Sequence, residues 1–197
     1  SPPLWESFLP VGDAQSGDLS LPEVVGTTPN GPQGLNYQVS KGSEITFTVG
    51  EQLTRFPLPN DAVVRTIELS GELNFDGQPS MVDVDLHSLV SDQSFRGRMF
   101  RDSPLAVFTV NDLTDLPPEF FSGGIIARQV TGVLSINGVD VPFTFDLEVQ
   151  NGEDVLNGLS RTVFTWDQLQ ISVPTARLVV SVDDEVSVQL LLVAEDR

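Results

Sequence analysis

The chain has 197 residues, no cysteine, and 28 acidic against 10 basic side chains, for a formal charge of −18. That charge repels phosphate backbones and anionic headgroups, which argues against a nucleic-acid or polybasic-membrane role. Without cysteine there is no disulfide framework, thiolate metal site or cysteine nucleophile, and no apolar run approaches the length of a membrane span.

Residues 1–35 are rich in Pro, Gly, Ser and Asp and show no strand alternation, which is the composition of an extension or linker. The start at Ser1-Pro2-Pro3 without Met leads us to expect a chain trimmed after an export signal or anchor. Within this stretch Leu4-Trp-Glu-Ser-Phe-Leu9 forms a small apolar island. It reads as a segment that docks on the body, or as a plug over a pocket opening.

Residues 36–197 read as one β domain. Ile45, Phe47 and Val49 alternate with Glu44, Thr46 and Thr48. Ile67, Leu69, Gly71, Leu73 and Phe75 alternate with Thr66, Glu68, Ser70, Glu72 and Asn74, and Asp76-Gly77 then offers a turn. Val82, Val84 and Leu86 alternate with Met81, Asp83, Asp85 and His87. This period of two marks half-buried strands. Ser91 to Asp102 breaks the pattern and predicts a short helix. Ser91 is placed to cap it, Phe95 and Met99 lie one turn apart, and Pro104 marks its end.

The stretch 130–149 predicts a hairpin turning at Asn137-Gly138, because a type I′ turn needs positive φ at both central residues. A two-residue turn sets Ile136 opposite Val139, Leu134 opposite Val141, Gly132 opposite Phe143 and Val130 opposite Phe145. Leu147 and Val149 extend the same apolar face. Ser160 to Trp166 and Val186 to Ala194 supply later strands. Asp183-Asp184-Glu185 reads as the polar turn before the last one, and a further helical turn is expected near Asp167 to Leu169. About eight strands joined mostly by short turns make an antiparallel meander the simplest topology. Its apolar face must close on itself or pack on another sheet, and eight strands closed into a barrel leave a bore that is filled or holds one small ligand. Gly71 and Gly132 at inward positions favour room inside, although Gly132 opposite Phe143 is also a simple packing match.

Motifs for catalysis are missing. There is no Gly-x-Ser-x-Gly elbow, phosphate-cradling loop or dinucleotide fingerprint, and His87 is the single histidine. Asp83, Asp85 and His87 share one face of a strand, as three metal ligands would. The alternate positions are the apolar set, so these three are expected to face solvent. We expect no catalytic residues and no metal site.

The ordered motifs are Tyr37-Gln-Val, Ser43-Glu-Ile-Thr-Phe-Thr-Val49, Ser70-Gly-Glu-Leu-Asn-Phe-Asp76, Ser80-Met-Val-Asp-Val-Asp-Leu86, Ser91-Asp92, the 130–142 hairpin with its Gly-x-Leu-x-Ile-x-Gly-Val-x-x-Pro pattern, and Ser181-Val-Asp-Asp-Glu-Val186. Together they resemble the bacterial YceI-like, polyisoprenoid-binding family from about Asn36 to Glu195. The chain departs from the family's Arg-Asp at Arg96-Gly97 and from its Asp-Phe-Gly at Gln168-Leu169-Gln170.

The resemblance implies an extended, lipocalin-like antiparallel barrel with one or two short helices. It implies export to the periplasm or cell envelope, homodimerisation, and a long isoprenoid chain, of an isoprenoid quinone or polyprenyl lipid, held in the bore. No other cofactor is required. Transient membrane contact or N-terminal anchoring would accompany such a role. The expected lining is Phe47, Val49, Ile67, Leu69, Leu73, Phe75, Val84, Leu86, Phe95, Met99, Val130, Leu134, Ile136, Phe143, Phe145, Leu147 and Leu190. Arg96, Arg98 and Arg101 are headgroup candidates at the mouth, or simply solvated charges. Burying roughly 400 Å² of tail contributes on the order of 10 kcal/mol before ordering costs. The competing expectation is an envelope structural or interaction module with a filled core and no ligand.

Overall fold

A computed structural model describes residues 18–22, 35–54, 60–91, 104–152, 154–173 and 179–197. The strands are β1 (Asn36–Val39), β2 (Glu44–Leu53), β3 (Asn60–Thr66), β4 (Leu69–Asn74), β5 (Ser80–Asp85), β6 (Leu105–Val110), β7 (Ile125–Ile136), β8 (Val139–Asn151), β9 (Val155–Thr165) and β10 (Val179–Asp196). Among the described residues the helical elements are a 3-10 turn, Leu86–Ser88, and one short helix, α1 (Pro118–Phe121). The helix expected over 91–102, with Phe95, Met99, Arg96, Arg98 and Arg101, falls almost wholly outside the described residues, as does the island at 4–9.

The sheet order is β1-β4-β5-β6-β7-β8-β9-β10-β2-β3, and a β1–β10 pairing closes it. β1 and β2 lie on the same edge of β10, with Val39 opposite Ala194 and Ile45 opposite Leu190. They are two halves of one strand, interrupted at residues 40–43, where Gly42 takes φ 99°. β3 and β4 form a second divided strand, with Val64 opposite Phe47 and Leu73 opposite Tyr37. The result is a closed antiparallel barrel of eight staves, in which the outer edge of β3 is met by a single bridge, Arg65 to Val90.

The interruption at residues 67–68 corrects one expectation. Ala62, Val64 and Thr66 face the core from β3, whereas Leu73 does so from β4, so the inward parity switches from even to odd. A tight turn, in which the Leu69 amide donates to the Ile67 carbonyl at 3.1 Å, absorbs the switch. Ile67 is consequently 69 % exposed. It stands outside the bore instead of lining it.

The hairpin follows the expected register residue by residue, from Ile136 opposite Val139 to Val130 opposite Phe145. Asn137 and Gly138 take φ 52° and 73°, as a type I′ turn demands. Asp183-Asp184-Glu185 is not a turn between strands. It is a bulge within β10, where Val182 pairs with Glu51 and Val186 with Val49. The Trp166 indole N–H donates to the Asp183 carbonyl at 3.0 Å and anchors that bulge. Near 167–169 there is a run of turns instead of a helix, ending at Gln170 with φ 52°.

Part of the N-terminal region rests on the barrel. The Leu19 amide donates to Gln189 Oε1 at 2.6 Å, and Gln189 Nε2 donates to Asp18 Oδ1 at 3.1 Å. Gln189 faces outward between the inward Val188 and Leu190, and Arg161 Nη2 donates to the Leu19 carbonyl at 3.4 Å, so Asp18 and Leu19 rest on the outer wall of β9 and β10.

Candidate functional site

The core is a tube of alternating side chains from every stave, and rings occupy both of its ends. At one end lie the β4–β5 turn, α1 and the β8–β9 turn. Pro117 and Pro118 open α1, where a missing N–H costs nothing. Gln150 Nε2 donates to the Gly123 carbonyl at 2.9 Å and holds the following turn on the barrel. Fully buried Phe120 then packs on Phe75 at 5.1 Å, and Phe75 meets Tyr37 edge-on at 5.9 Å. Towards the other end Phe108, Phe145, Phe143, Phe164 and Trp166 form a chain of ring contacts at 5.8–6.2 Å.

A cavity of about 70 Å³ lies within the bore. It is lined from β4 to β10 by Leu73, Phe75, Ser80, Val82, Phe108, Val110, Leu113, Val130, Phe145, Leu147, Val149, Leu156, Gly158, Ser160, Leu190 and Leu192. Among the described residues Ser80 and Ser160 are its only hydroxyl-bearing side chains, and none of these sixteen residues ionises. The Ser80 hydroxyl is engaged with the Asn74 backbone, accepting from the amide at 2.8 Å and donating to the carbonyl at 3.2 Å. A wall of this kind attracts apolar surface and offers nothing to activate water or a nucleophile.

Beyond Phe75, at the α1 end, lies a buried polar pair. Tyr37 and Asn151 are each 1 % exposed, and the Tyr37 hydroxyl donates to Asn151 Oδ1 at 3.0 Å. Burial, reinforced by the nearby Asp196 carboxylate, pushes the Tyr37 pKa up to about 12, although the Asn151 hydrogen bond lowers it in part. Asp83, Asp85 and His87 stand on the outer side. Val82, Val84 and Leu86 are buried, while Asp85 caps the 3-10 turn by accepting from the His87 amide at 2.9 Å. Among the described residues no group of three or more His, Asp or Glu is placed to hold a metal.

The YceI-like domain model matches residues 37–194. The chain belongs to the YceI-like family. Two solved structures share the YceI-like barrel. One is a polyisoprenoid binding domain from Saccharophagus degradans implicated in plant cell wall breakdown. It is 18 % identical with a TM-score of 0.66, over 84 % of this chain and 100 % of that one. The other is BcnA of Burkholderia cenocepacia, 18 % identical with a TM-score of 0.55, over 77 % of this chain and 95 % of that one. At that identity both likenesses show the fold. Among curated proteins nothing matches.

Within this YceI-like barrel, six of the expected lining residues surround the cavity: Leu73, Phe75, Val130, Phe145, Leu147 and Leu190. Phe47, Val49, Val84, Leu86, Leu134, Ile136 and Phe143 are buried in the same core but pack away from the empty space. Leu69 is half-buried against it, and Ile67 is exposed.

The glycines also change role. A Cβ at Gly132 would stand 2.7 Å from the Thr109 carbonyl and 3.1 Å from the Phe145 ring, so that position is filled. At Gly71, with φ 136°, it would stand 2.1 Å from the Met81 carbonyl. Gly71 lets two strands approach and leaves no room. The glycine that does make room is Gly158, whose Cβ would meet nothing nearer than 3.9 Å. Sequence reasoning missed it, along with Phe108, Val110, Leu113 and Leu156. The alternation of Phe108 and Val110 in β6 was the signal available for those two.

Proposed function

We propose that this protein is a non-catalytic barrel that holds a long apolar lipid chain, of the isoprenoid type, in its bore. The observation that carries this reading is the apolar cavity lined from seven successive strands, β4 to β10. Membership of the YceI-like family supports it, as does the Saccharophagus degradans relative named for polyisoprenoid binding. The finer part of the proposal is an isoprenoid quinone or polyprenyl lipid, carried or sequestered outside the cytoplasm, by a protein that dimerises and meets membranes transiently.

The cavity is short for such a chain, so an occupant extends it by parting rings that now touch. Each ring contact is worth about 0.5–1.5 kcal/mol. A buried tail gains on the order of 10 kcal/mol, which exceeds the cost of separating two or three of them. The ring contacts of Phe108, Phe145, Phe143 and Phe164 are also what favours the second reading, a filled barrel whose outer surface carries the function.

Native mass spectrometry of the purified protein, with solvent extraction and lipid analysis, separates the two. The proposal expects an extractable isoprenoid lipid, or uptake of added isoprenoid quinone with one chain per barrel. Absence of both leaves the filled barrel.

A further inference from the structure

Two side-chain atoms buried at the α1 end of the barrel have no hydrogen-bond partner: Asn151 Nδ2 and Asn74 Oδ1. An unpaired buried donor or acceptor is costly enough that it demands a reason. The reason for Asn151 lies in its register. Asn151 follows Val149 on the same face of β8, and it pairs across to Leu156 of β9. Val149 and Leu156 both line the cavity, and so does Phe75, on whose ring Tyr37 rests. Asn151 and Tyr37 are thus the next layer of the bore beyond the cavity, a polar floor beneath an apolar tube. The Tyr37 hydroxyl, spent on Asn151 Oδ1, fixes the amide and leaves its N–H group uncommitted.

We propose that this floor is a seat for a carbonyl oxygen at the head of the bound chain, which accepts a hydrogen bond from Asn151 Nδ2, with Tyr37 as the positioning residue. The inference rests on the lipid-binding reading above and adds an orientation to it. The head enters first and lies at the α1 end, and the tail runs towards the Asn137-Gly138 turn. The chemistry recognised is a neutral acceptor, as in a quinone, ketone, ester or amide. A phosphate or carboxylate head is excluded by the same logic, because a charge there has no cation to meet among the cavity-lining residues and the floor.

The test compares a long-chain methyl ketone with the alkane of equal length, binding to wild type and to Tyr37→Phe/Asn151→Leu by native mass spectrometry. Wild type is expected to favour the ketone by roughly tenfold, the worth of one good hydrogen bond. The double variant removes the donor and leaves the ketone oxygen a buried acceptor without a partner, so that ratio is expected to fall to about one or below. Thermal melts establish that it is folded. In wild type, the Asn151 side-chain amide resonances should shift with ketone and stay still with alkane, a readout that does not depend on the variant. Equal affinity for ketone and alkane in wild type overturns the seat while leaving the lipid-binding reading intact. Retention of the preference in the double variant, or amide resonances that ignore the ketone, overturns it as well. Binding of neither probe overturns the seat together with the lipid-binding reading.

Discussion

Adding one methyl group at Gly158 should stabilise the barrel and crowd the ligand at the same time. Gly158 pairs with Val149 and Leu192, and all three line the cavity. An added Cβ meets the Glu148 carbonyl, a Leu147 methyl and the Leu192 Cβ, each at 3.9 Å, which is ordinary contact. Burying one methyl group contributes about 0.8 kcal/mol. Replacing glycine by alanine at a compatible backbone angle contributes a further 0.4–1 kcal/mol or so through the unfolded chain. Gly158→Ala should therefore gain about 1–2 kcal/mol, or roughly 3–7 °C in Tm for a chain of this size. Gly132→Ala is the control, since it also adds a methyl at an inward glycine, on β7, one strand removed from β9. There the Cβ falls 2.7 Å from a backbone oxygen and 3.0 Å from a Val110 methyl. Overpacking of that kind costs about 1–3 kcal/mol. Differential scanning calorimetry of both variants, followed by uptake of isoprenoid quinone, should show opposite shifts in Tm and weaker uptake by Gly158→Ala. A fall in Tm for both variants would refute the assignment of Gly158, and not Gly132, as the position with space.

Tyr37 is the only tyrosine in the chain, so phenolate absorbance reports it alone. Its folded pKa of about 12 lies above the ordinary 10.0, so the unfolded chain releases the proton first. Stability is then fully retained below about pH 10 and falls as the pH rises towards about 12. Tyr37→Phe should flatten that alkaline decline in urea melts, and an unchanged decline would show that another group causes it. Gln189→Ala removes the side chain that holds both Asp18 and Leu19. Hydrogen exchange at Leu19 should rise to the rate of an open chain while the β9 and β10 amides stay protected, and equal protection in the variant would argue for a different anchor. At Gly138 an added Cβ meets nothing within 4 Å, so any cost is conformational. Gly138→Val should lose about 1–2 kcal/mol through the positive φ alone, checked by urea denaturation, because β-branched residues resist that region.

The hairpin shows how much local chemistry settles. A two-residue Asn-Gly turn fixes the register, and a side-chain period of two then assigns each residue of β7 and β8 to a face. That placed Val130, Phe145 and Leu147 on the inward, apolar face without reference to the rest of the chain. The outward face of Asp83 and His87 was legible for the same reason, from the apolar residues between them. The ordered motifs carried the family and the barrel. The error at Ile67 shows where this logic stops. Alternation was read straight through a residue pair at which the chain changes parity, and no turn residue marks it. The bulge at Asp183 was equally hidden. Three acidic residues look like a turn, and only pairing with both β2 and β9 keeps them inside a strand.

Composition and periodicity determined that this chain is all-β, which faces of its strands are apolar, and that eight staves suffice to close it. Those properties depend on neighbours in the sequence. Which inward positions border empty space was decided by tertiary structure alone. Gly132 and Gly158 are the same residue type on the same side of the sheet. One is filled by a phenyl ring from the adjacent strand and the other faces a gap, because the space beside a Cα depends on side chains brought there from distant parts of the chain. The unpaired amide of Asn151 belongs to the same class, visible only once β1, β8 and β9 meet.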